Sequence, residues 1–244
     1  MSLPSQHPAP GSDARGALAF RGPDTAKFLQ GQLSADIARL AVGAGTLAGL
    51  HNPQGRVIAL LDVTRTADEE FIARLPREMA ETVAARLRKY VLRAKVRIED
   101  AGDSPAVDPI ESIRAGLPEV YAATSEAFVA QMLNLDLLGA IAFDKGCYTG
   151  QEVIARAHYR GRVKRRAQRW LNSSGIGLKP GDAAHAPDGR ALNVVRVATL
   201  PDGDQELLAV GNFSAAGAET PQADALTTGV AVSGPLPLPY ELPE

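Results

Sequence analysis

The spacing of apolar residues changes from strand-like to helix-like near the start of the chain. Leu18 and Phe20 alternate with smaller residues, as in a strand with one buried face. The turn formers Gly22-Pro23-Asp24 then place a proline in the first turn of a helix, whose core side would carry Phe28 and Leu29. The pattern therefore predicts a short strand followed directly by a short helix.

Three more strand-like runs follow this helix, at residues 45–50, 57–63 and 71–75. The first two meet in the tight turn Asn52-Pro53-Gln54-Gly55. Residues 78–92 have helical spacing, and Val96 and Ile98 then resume a strand. The apolar side of this second helix carries Met79, Val83, Leu87 and Val91. This alternation predicts an α+β unit of the split βαβ, ferredoxin-like kind.

The later part of the chain has a different pattern. From Glu99 to Pro109 it is polar and proline-rich, which predicts a loop or a boundary between subdomains. After His158, strand-like runs alternate with short turns rich in proline and glycine. The runs are 163–171, 190–200 and 207–213, and the turns are 179–181, 187–189 and 201–203. We therefore expect a small C-terminal β-barrel.

These patterns divide the chain into three parts. We expect residues 1–14 to form a disordered tail, residues 15–160 an α+β domain, and residues 161–244 the β-barrel domain. The polar run at 100–110 is where two subdomains of the α+β domain would meet. At 244 residues, the chain is long enough for this division.

Composition narrows the class of protein further. The hydrophobic fraction of 45% and the net charge of −2 are those of an ordinary globular protein, and no apolar run approaches the roughly 18 residues of a membrane span. The single cysteine excludes an internal disulfide and cannot alone hold an iron–sulfur cluster. The N-terminus lacks a signal peptide pattern, so we expect a bacterial cytoplasmic protein, or a mitochondrial matrix protein if the source is eukaryotic.

The only cysteine lies in the stretch Lys145-Gly146-Cys147-Tyr148-Thr149-Gly150-Gln151-Glu152. Thr149 and Glu152 have the spacing of a capping box, which predicts that a helix starts there and buries the side carrying residues 153–155. Cys147 would then precede a helix N-terminus. The helix dipole and the Lys145 ammonium would both favour a thiolate, so the motif predicts a reactive cysteine.

This motif, continued as Val153-Ile154-Ala155-Arg156, resembles the signature of the YgfZ-type folate-binding proteins. These proteins are relatives of the T-protein, the aminomethyltransferase of the glycine cleavage system. Other stretches resemble landmarks of the same family in the same order, so that the resemblance covers residues 15 to 172. They are Phe28-Leu29-Gln30-Gly31-Gln32, Asn52-Pro53-Gln54-Gly55-Arg56, Lys89-Tyr90-Val91-Leu92-Arg93 and Asn134-Leu135-Asp136.

The resemblance implies a T-protein-like fold and a function. The chain would bind tetrahydrofolate, or a one-carbon derivative of it, and support the assembly or repair of iron–sulfur proteins, which would be its partners. Cys147 would be the functional thiol, with Lys145 as the second catalytic residue. The remaining motif residues are Gly146, Tyr148, Thr149, Gly150, Gln151, Glu152 and Arg156.

The resemblance also implies a folate pocket in the N-terminal unit. Turn residues Gln30, Gln32 and Arg56 would line it. The carboxamides of Gln131 and Asn134 could pair with the edge of a pterin ring, and Arg114 could meet the glutamate tail. These six residues are the expected cofactor-binding set, and no metal-binding residue is expected.

The chain departs from the T-protein at two places. The T-protein carries an arginine-leucine-glutamate-alanine-glycine run whose glutamate holds the pterin, whereas this chain reads Ser112-Ile113-Arg114-Ala115-Gly116. A guanidinium cannot accept hydrogen bonds from the pterin. Cys147 also stands where the transferase motif has an aspartate. Both departures disfavour glycine cleavage, and an aminomethyltransferase-like one-carbon enzyme remains an alternative function.

Two further functions compete with the folate interpretation. Cys147 and His158 could act as nucleophile and base, although no third partner is evident. Residues 153–181 contain no acidic residue but eight lysines and arginines, which with Tyr159 and Trp170 could bind RNA, as in a protein related to tRNA modification. These cations are Arg156, Arg160, Arg162, Lys164, Arg165, Arg166, Arg169 and Lys179. Nucleic acid is the less favoured partner because the pI is near 6.1.

Overall fold

A computed structural model describes residues 14–161, 163–212 and 229–243. The disordered tail predicted for residues 1–14 therefore lies outside the described residues, apart from Ala14. Arg162 of the basic run and Phe213 of the last predicted strand also lie outside them.

The N-terminal part is a five-stranded antiparallel sheet with two helices. Its elements are β1 (Arg15–Arg21), α1 (Thr25–Gln32), β2 (Gly45–His51), β3 (Val57–Ala67), β4 (Glu70–Pro76), α2 (Ala80–Val91) and β5 (Arg97–Ser104). The strand order is β2-β3-β4-β1-β5. Four of these strands reproduce the ferredoxin-like order, with β4 between β1 and β3 and β1 between β4 and β5, and β2 is an added edge strand.

The two helices cover one face of this sheet. Phe28 and Leu29 of α1 and Val83 and Leu87 of α2 are buried against sheet residues such as Phe20. The predicted second helix is confirmed, but its first turn, Arg77–Met79, is a 3₁₀ turn. The apolar face predicted from the sequence is therefore the face that forms this core.

The polar run after Ile98 is a strand and not a loop. β5 continues to Ser104 and pairs with β1, with a register shift between Gly16 and Leu18. β5 is an edge strand, and five of its eight residues, among them Asp103, are exposed. The expectation of a loop from Glu99 was wrong because an edge strand is held by backbone hydrogen bonds and can be polar on both faces.

A middle segment without strands links this sheet to the second one. It contains α3 (Pro109–Arg114), the 3₁₀ turns Ala122–Thr124 and Ala130–Leu133, and α4 (Gln151–Arg160). Asp108 caps α3 by accepting hydrogen bonds from the backbone N–H groups of Ile110 and Glu111. No helix within the described ranges combines the length and the apolar character that crossing a membrane requires.

The C-terminal strands curl into a barrel. They are β6 (Arg165–Asn172), β7 (Ala183–His185), β8 (Ala191–Thr199), β9 (Gln205–Asn212), β10 (Val230–Ala231) and β11 (Ser233–Leu236), in the order β10-β7-β8-β9-β6-β11. β10 and β11 are nearly continuous in sequence, yet they pair with the opposite edges β7 and β6. One run of chain therefore bridges both edges of the sheet, which confirms the predicted barrel-like C-terminal part.

β8 and β9 are buried on both faces. Val194 and Leu207 lie in the barrel interior with Trp170, whereas Val195 and Leu208 pack against the middle segment. This double burial explains why residues 207–210 form a continuous apolar run and do not alternate. The division into domains at residues 160 and 161 stays a prediction.

Candidate functional site

The turn between β2 and β3 is organised by one asparagine. Asn52 Oδ1 accepts hydrogen bonds from the backbone N–H groups of Gln54 and Arg56, both at 3.0 Å. The N–H of Gly55, whose φ is 73°, donates to Asn52 O at 2.9 Å. Asn52 Nδ2 donates to Glu126 Oε2 at 2.7 Å. The predicted tight turn is confirmed, and its shape is fixed from inside by a side chain.

This turn lies directly against the start of α4. A Cβ atom on Gly150 would come within 2.5 Å of Asn52 O and 3.1 Å of Gly55 Cα, and one on Gly55 would come within 3.1 Å of Val153. Gly150 also has a φ of 82°, which a residue with a side chain adopts only with strain. The two glycines therefore allow the turn and the cysteine motif to touch.

Helix α4 begins later than the capping box predicted. Its first residue is Gln151, and the N-cap position is held by Gly150 without a side-chain bond. Gln151 turns back, so that its Oε1 accepts from Tyr148 N at 3.3 Å and its Nε2 donates to Lys145 O at 3.5 Å. The Thr149–Glu152 capping box was wrong because Gly150 holds the N-cap position, one residue later than predicted. Val153 was also expected to be buried, but it is 42% exposed.

Lys145 anchors the loop that carries the cysteine. Its ammonium donates to three backbone carbonyls at the end of α1, those of Gln30 (2.7 Å), Leu33 (2.6 Å) and Ala35 (2.8 Å). It also lies 5.0 Å from the centroid of the Tyr148 ring. Carbonyls at a helix C-terminus attract a cation, but burial lowers the pKa of Lys145 to about 8.

Cys147 is exposed on this loop. The described residues give its thiol no hydrogen bond, and the Lys145 ammonium is directed at carbonyl oxygens. No described contact joins the Lys145 ammonium to the Cys147 thiol, so the expected stabilisation of a thiolate by Lys145 stays a prediction. What the structure provides is a solvent-accessible thiol just before a helix N-terminus, on a loop fixed at Lys145.

Two aromatic side chains are buried beneath the loop. Tyr148 is 7% exposed, and burial raises its pKa to about 12. His51 is 1% exposed, and burial lowers its pKa to about 4, so it is neutral at pH 7. Neither ring nitrogen of His51 makes a hydrogen bond of good geometry with a described residue, although the Gly55 backbone is close enough to oppose this lowering of the pKa. A buried polar group without a partner is unusual in a folded protein.

The residues expected to line a folate pocket fall into two groups, and the first lies near the turn. Gln30 donates to Asp36 and accepts from Ala38 N, so it holds local backbone. Arg56 is exposed and donates to the carbonyls of Glu126 and Ala127. Gln32 is half-buried at the end of α1.

The second group lies in a buried network that we call the polar junction, made of Gln131, Asn134, Asp136, Arg166 and Tyr240. Arg166 donates to Gln131 O (3.0 Å), Asn134 Oδ1 (3.3 Å) and both carboxylate oxygens of Asp136 (2.9 Å each). Asn134 Nδ2 donates to Ala167 O and Tyr240 Oη. Gln131 Nε2 donates to Ile154 O, but Gln131 Oε1 is buried without a partner. Asn134 is thus fully occupied, whereas Gln131 keeps one free acceptor.

The expected anion-binding residues are divided by the fold. Arg114 makes a close ion pair with Glu206 of β9, with Nη2 and Oε1 2.5 Å apart. Arg166 is buried, and Trp170 lies fully inside the barrel. The basic run is therefore not one solvent-facing surface, because strand alternation turns part of it inward, and Trp170 cannot stack on a base.

The side chain of His158 contacts Phe143 and not Cys147, the partner considered in the sequence analysis. Its ring stacks on Phe143, with centroids 3.9 Å apart. No hydrogen bond joins His158 to Cys147 within the described part of the chain, so the nucleophile and base interpretation gains no support from the geometry.

A depression of about 160 Å³ lined by Arg15, Glu119 and Tyr121 lies away from the loop, and it is too small for a folate.

The fold defines the class of protein. The structure matches the crystal structure of the glycine cleavage system aminomethyltransferase T from Bartonella henselae with a TM-score of 0.56 and 15% identity, over 83% of this chain and 77% of that one. This likeness establishes the T-protein fold that the sequence predicted. No protein-family model matches the chain.

Sequence relatives define the family within this fold. An uncharacterized protein from Haemophilus influenzae is 30% identical over 61% of this chain and 68% of its own length. Proteins named tRNA-modifying protein YgfZ are 29% identical in Edwardsiella ictaluri, over 63% of this chain and 67% of theirs, and 26% identical in Serratia proteamaculans, over 93% and 90%. The chain belongs to the YgfZ-type family, and it shares the fold of the glycine cleavage aminomethyltransferase.

Proposed function

We propose that this chain is a tetrahydrofolate-binding accessory protein that supports the assembly or repair of iron–sulfur proteins, with Cys147 as its working thiol. The family and the T-protein fold support a folate-related role. The bacterial relatives support a bacterial cytoplasmic setting. The two departures from the T-protein motifs make glycine cleavage the less favoured activity.

One observation supports a ligand at this site in particular. His51 Nδ1, His51 Nε2 and Gln131 Oε1 are all buried without a hydrogen-bond partner. Gln131 bonds Ile154 O in the first turn of α4, and His51 Cβ lies 3.2 Å from a Cβ position on Gly150, whereas the imidazole of His51 lies against Gly49. The edge of a pterin carries donors and acceptors side by side, which suits one free acceptor and an imidazole. This donor and acceptor chemistry supports a pterin as the ligand of these residues.

The roles of the residues follow from this placement. His51 and Gln131 would orient the ring, and the contact between Gly150 and the Asn52 turn would hold them near the cysteine loop. Bound tetrahydrofolate supplies a carrier for one-carbon units. Cys147 is exposed and has no hydrogen bond to any residue that the structure describes, so it would remain free to contact an iron–sulfur client or its cluster.

Calorimetric titration with tetrahydrofolate tests the pocket. We expect saturable binding by the wild type, at least tenfold weaker binding by Gln131→Leu, and unchanged binding by Cys147→Ala. Gln168→Leu is the matched control, because Gln168 Oε1 is also buried without a partner but lies on β6. Absence of binding by the wild type, or equal losses in the two glutamine variants, would contradict the proposed pocket.

The thiol is tested separately in cells. In a bacterial strain that lacks its own copy of the protein, we expect wild-type chain and Gln168→Leu to restore the activity of iron–sulfur enzymes in extracts. Cys147→Ala at the same protein level should not restore it. Full rescue by Cys147→Ala would remove the thiol from the proposal and leave folate binding in place.

A second candidate function is a role in tRNA modification, which the name tRNA-modifying protein YgfZ, carried by the relatives, favours. Mass spectrometry of tRNA nucleosides from the same strains tests it. At least one modified nucleoside should fall in abundance without the protein and return with it. Unchanged nucleosides in all strains would exclude this role.

A further inference from the structure

Three aromatic rings meet at the surface beside α4, and we call them the aromatic corner. The Phe143 and His158 rings are stacked, with centroids 3.9 Å apart and planes at 19°. The Tyr159 ring stands nearly perpendicular to both, 4.8 Å from His158 and 6.0 Å from Phe143. Two parallel rings and one upright ring thus form a right-angled surface.

The corner is fixed on one side and open on the other. Phe143 is half-buried and packs against the core beneath the middle segment. His158 is exposed, and Tyr159 is 68% exposed. A large exposed ring gains little from burial within its own chain, in contrast to Trp170, which is fully buried. The open faces of His158 and Tyr159 are therefore free to stack on another flat group.

Free cations lie beside the corner. Arg156 and Arg160 are one turn apart on α4, and Tyr159 lies between them and His158 in helical phase. Arg156 and Arg160 are exposed, as is Lys164, which follows α4 in the sequence, and the described residues give none of the three a carboxylate partner. Glu152 is the only acidic residue between 151 and 164. The surface combines rings with unpaired positive charge.

We propose that the aromatic corner and these three cations bind single-stranded RNA through unstacked bases. Every base has a flat face that can stack on a ring, and phosphates along the strand would meet the free cations. An acidic protein segment would pair with the cations, but its carboxylates would make no stacking contact with the aromatic rings. Rings and cations together therefore favour a nucleic acid over an acidic polypeptide.

This inference deepens the second candidate function, on which its biological meaning rests. The aromatic corner and the proposed folate pocket share no residue, so the two sites can be tested separately. It also differs from the basic run expected from the sequence, because Arg166 and Trp170 are buried and Phe143 and His158 take part.

Fluorescence anisotropy with a labelled 12-nucleotide oligouridine tests the proposal. We expect the wild type to bind it, and Tyr159→Ala and the double variant Arg156→Gln/Arg160→Gln each to bind at least tenfold more weakly. Tyr90→Ala and Lys89→Gln are the matched controls, because they remove a 49% exposed tyrosine and an exposed lysine from α2. Both controls should stay within twofold of the wild type.

Three further measurements sharpen the outcome. Binding should weaken steeply with added salt, an RNA duplex of equal length should bind at least fivefold more weakly, and polyglutamate should compete poorly. No binding by the wild type, or no difference between Tyr159→Ala and Tyr90→Ala, would overturn the proposal. Tetrahydrofolate titration of Tyr159→Ala should give the wild-type result, so failure of the RNA site and failure of the folate pocket are distinguishable.

Discussion

The cysteine loop and the polar junction are both held by a cation surrounded by oxygen atoms, but they differ in what the cation supports. Lys145 binds three backbone carbonyls and leaves Cys147 exposed above it. Arg166 binds Asp136 with both arms of its guanidinium and also Asn134 and Gln131, and its side chain is 3% exposed. One cation supports a surface loop, and the other closes a core.

The difference lies in the partner charge. The planar guanidinium of Arg166 pairs with both oxygens of the buried Asp136 carboxylate, so each buried charge is neutralised by the other. The hydrogen-bond partners of Lys145 are backbone carbonyls, which carry dipoles but no full charge. Because the ammonium is partly buried, the pKa of Lys145 falls to about 8. A point cation on carbonyls can fix a loop in position without burying the residues that the loop presents.

The largest effect should come from breaking the polar junction. Arg166→Met leaves Asp136 as an uncompensated buried charge, so we expect a loss of about 3–5 kcal/mol in the free energy of unfolding, measured by urea denaturation. Arg165→Met, on the neighbouring position of β6, should change it by less than about 0.5 kcal/mol.

The double variant Arg166→Met/Asp136→Leu tests the electrostatic explanation. It should recover much of the loss, because no charge is then left unpaired. If the double variant is as unstable as Arg166→Met, the loss arises from packing and not from the charge.

A smaller, pH-dependent effect should distinguish the residue beneath the cysteine loop. Because the pKa of His51 is about 4 in the fold and 6.5 in the unfolded chain, the unfolded state binds more protons between these values. The contribution of His51 to stability is complete above pH 6.5 and is lost as the pH falls toward 4, on the order of 3 kcal/mol in all.

Urea denaturation between pH 7 and pH 4 measures this effect as a difference between variants. His51→Leu should lose less stability on acidification than the wild type, whereas His158→Ala, which removes an exposed histidine, should follow the wild type. Parallel curves for wild type and His51→Leu would contradict the burial of a neutral His51.

The smallest effect should come from the loop anchor. Lys145→Met removes three hydrogen bonds from a half-buried cation, and we expect a loss of about 1–2 kcal/mol, with faster chymotrypsin cleavage after Tyr148. Lys89→Met on α2 removes an exposed lysine and should change neither quantity. Unchanged cleavage in Lys145→Met would show that the loop is held by other contacts.

Much of the fold could be predicted because local signals agreed with tertiary structure. The helix at 80–91 and strand β4 bury the faces that their periodicity indicated, and β3 and β9 follow from their runs of apolar residues. β5 extends beyond its apolar residues, since pairing with β1 does not depend on side chains. β7, β10 and β11 are only two to four residues long, too short to carry a period.

The candidate site was predicted in part. The cysteine motif and the Asn52 turn were both found, and the structure brings them together through Gly55 and Gly150. His51 and Phe143 were missed, although each lies within two residues of a quoted landmark, because a single residue shows no sign of its burial or stacking partner. Arg166 was assigned to a solvent-facing run because charge counting does not record which side of a strand faces inward.

The contact between Gly55 and Gly150 also works as a mechanical joint. With 3.1 Å between Gly55 Cα and the Cβ position on Gly150, no slack separates the β2–β3 hairpin from the first residues of α4. The hairpin tip and the segment that carries the thiol therefore share one packed contact. A folate bound beside His51, as proposed, would lie against this contact, three residues from Cys147.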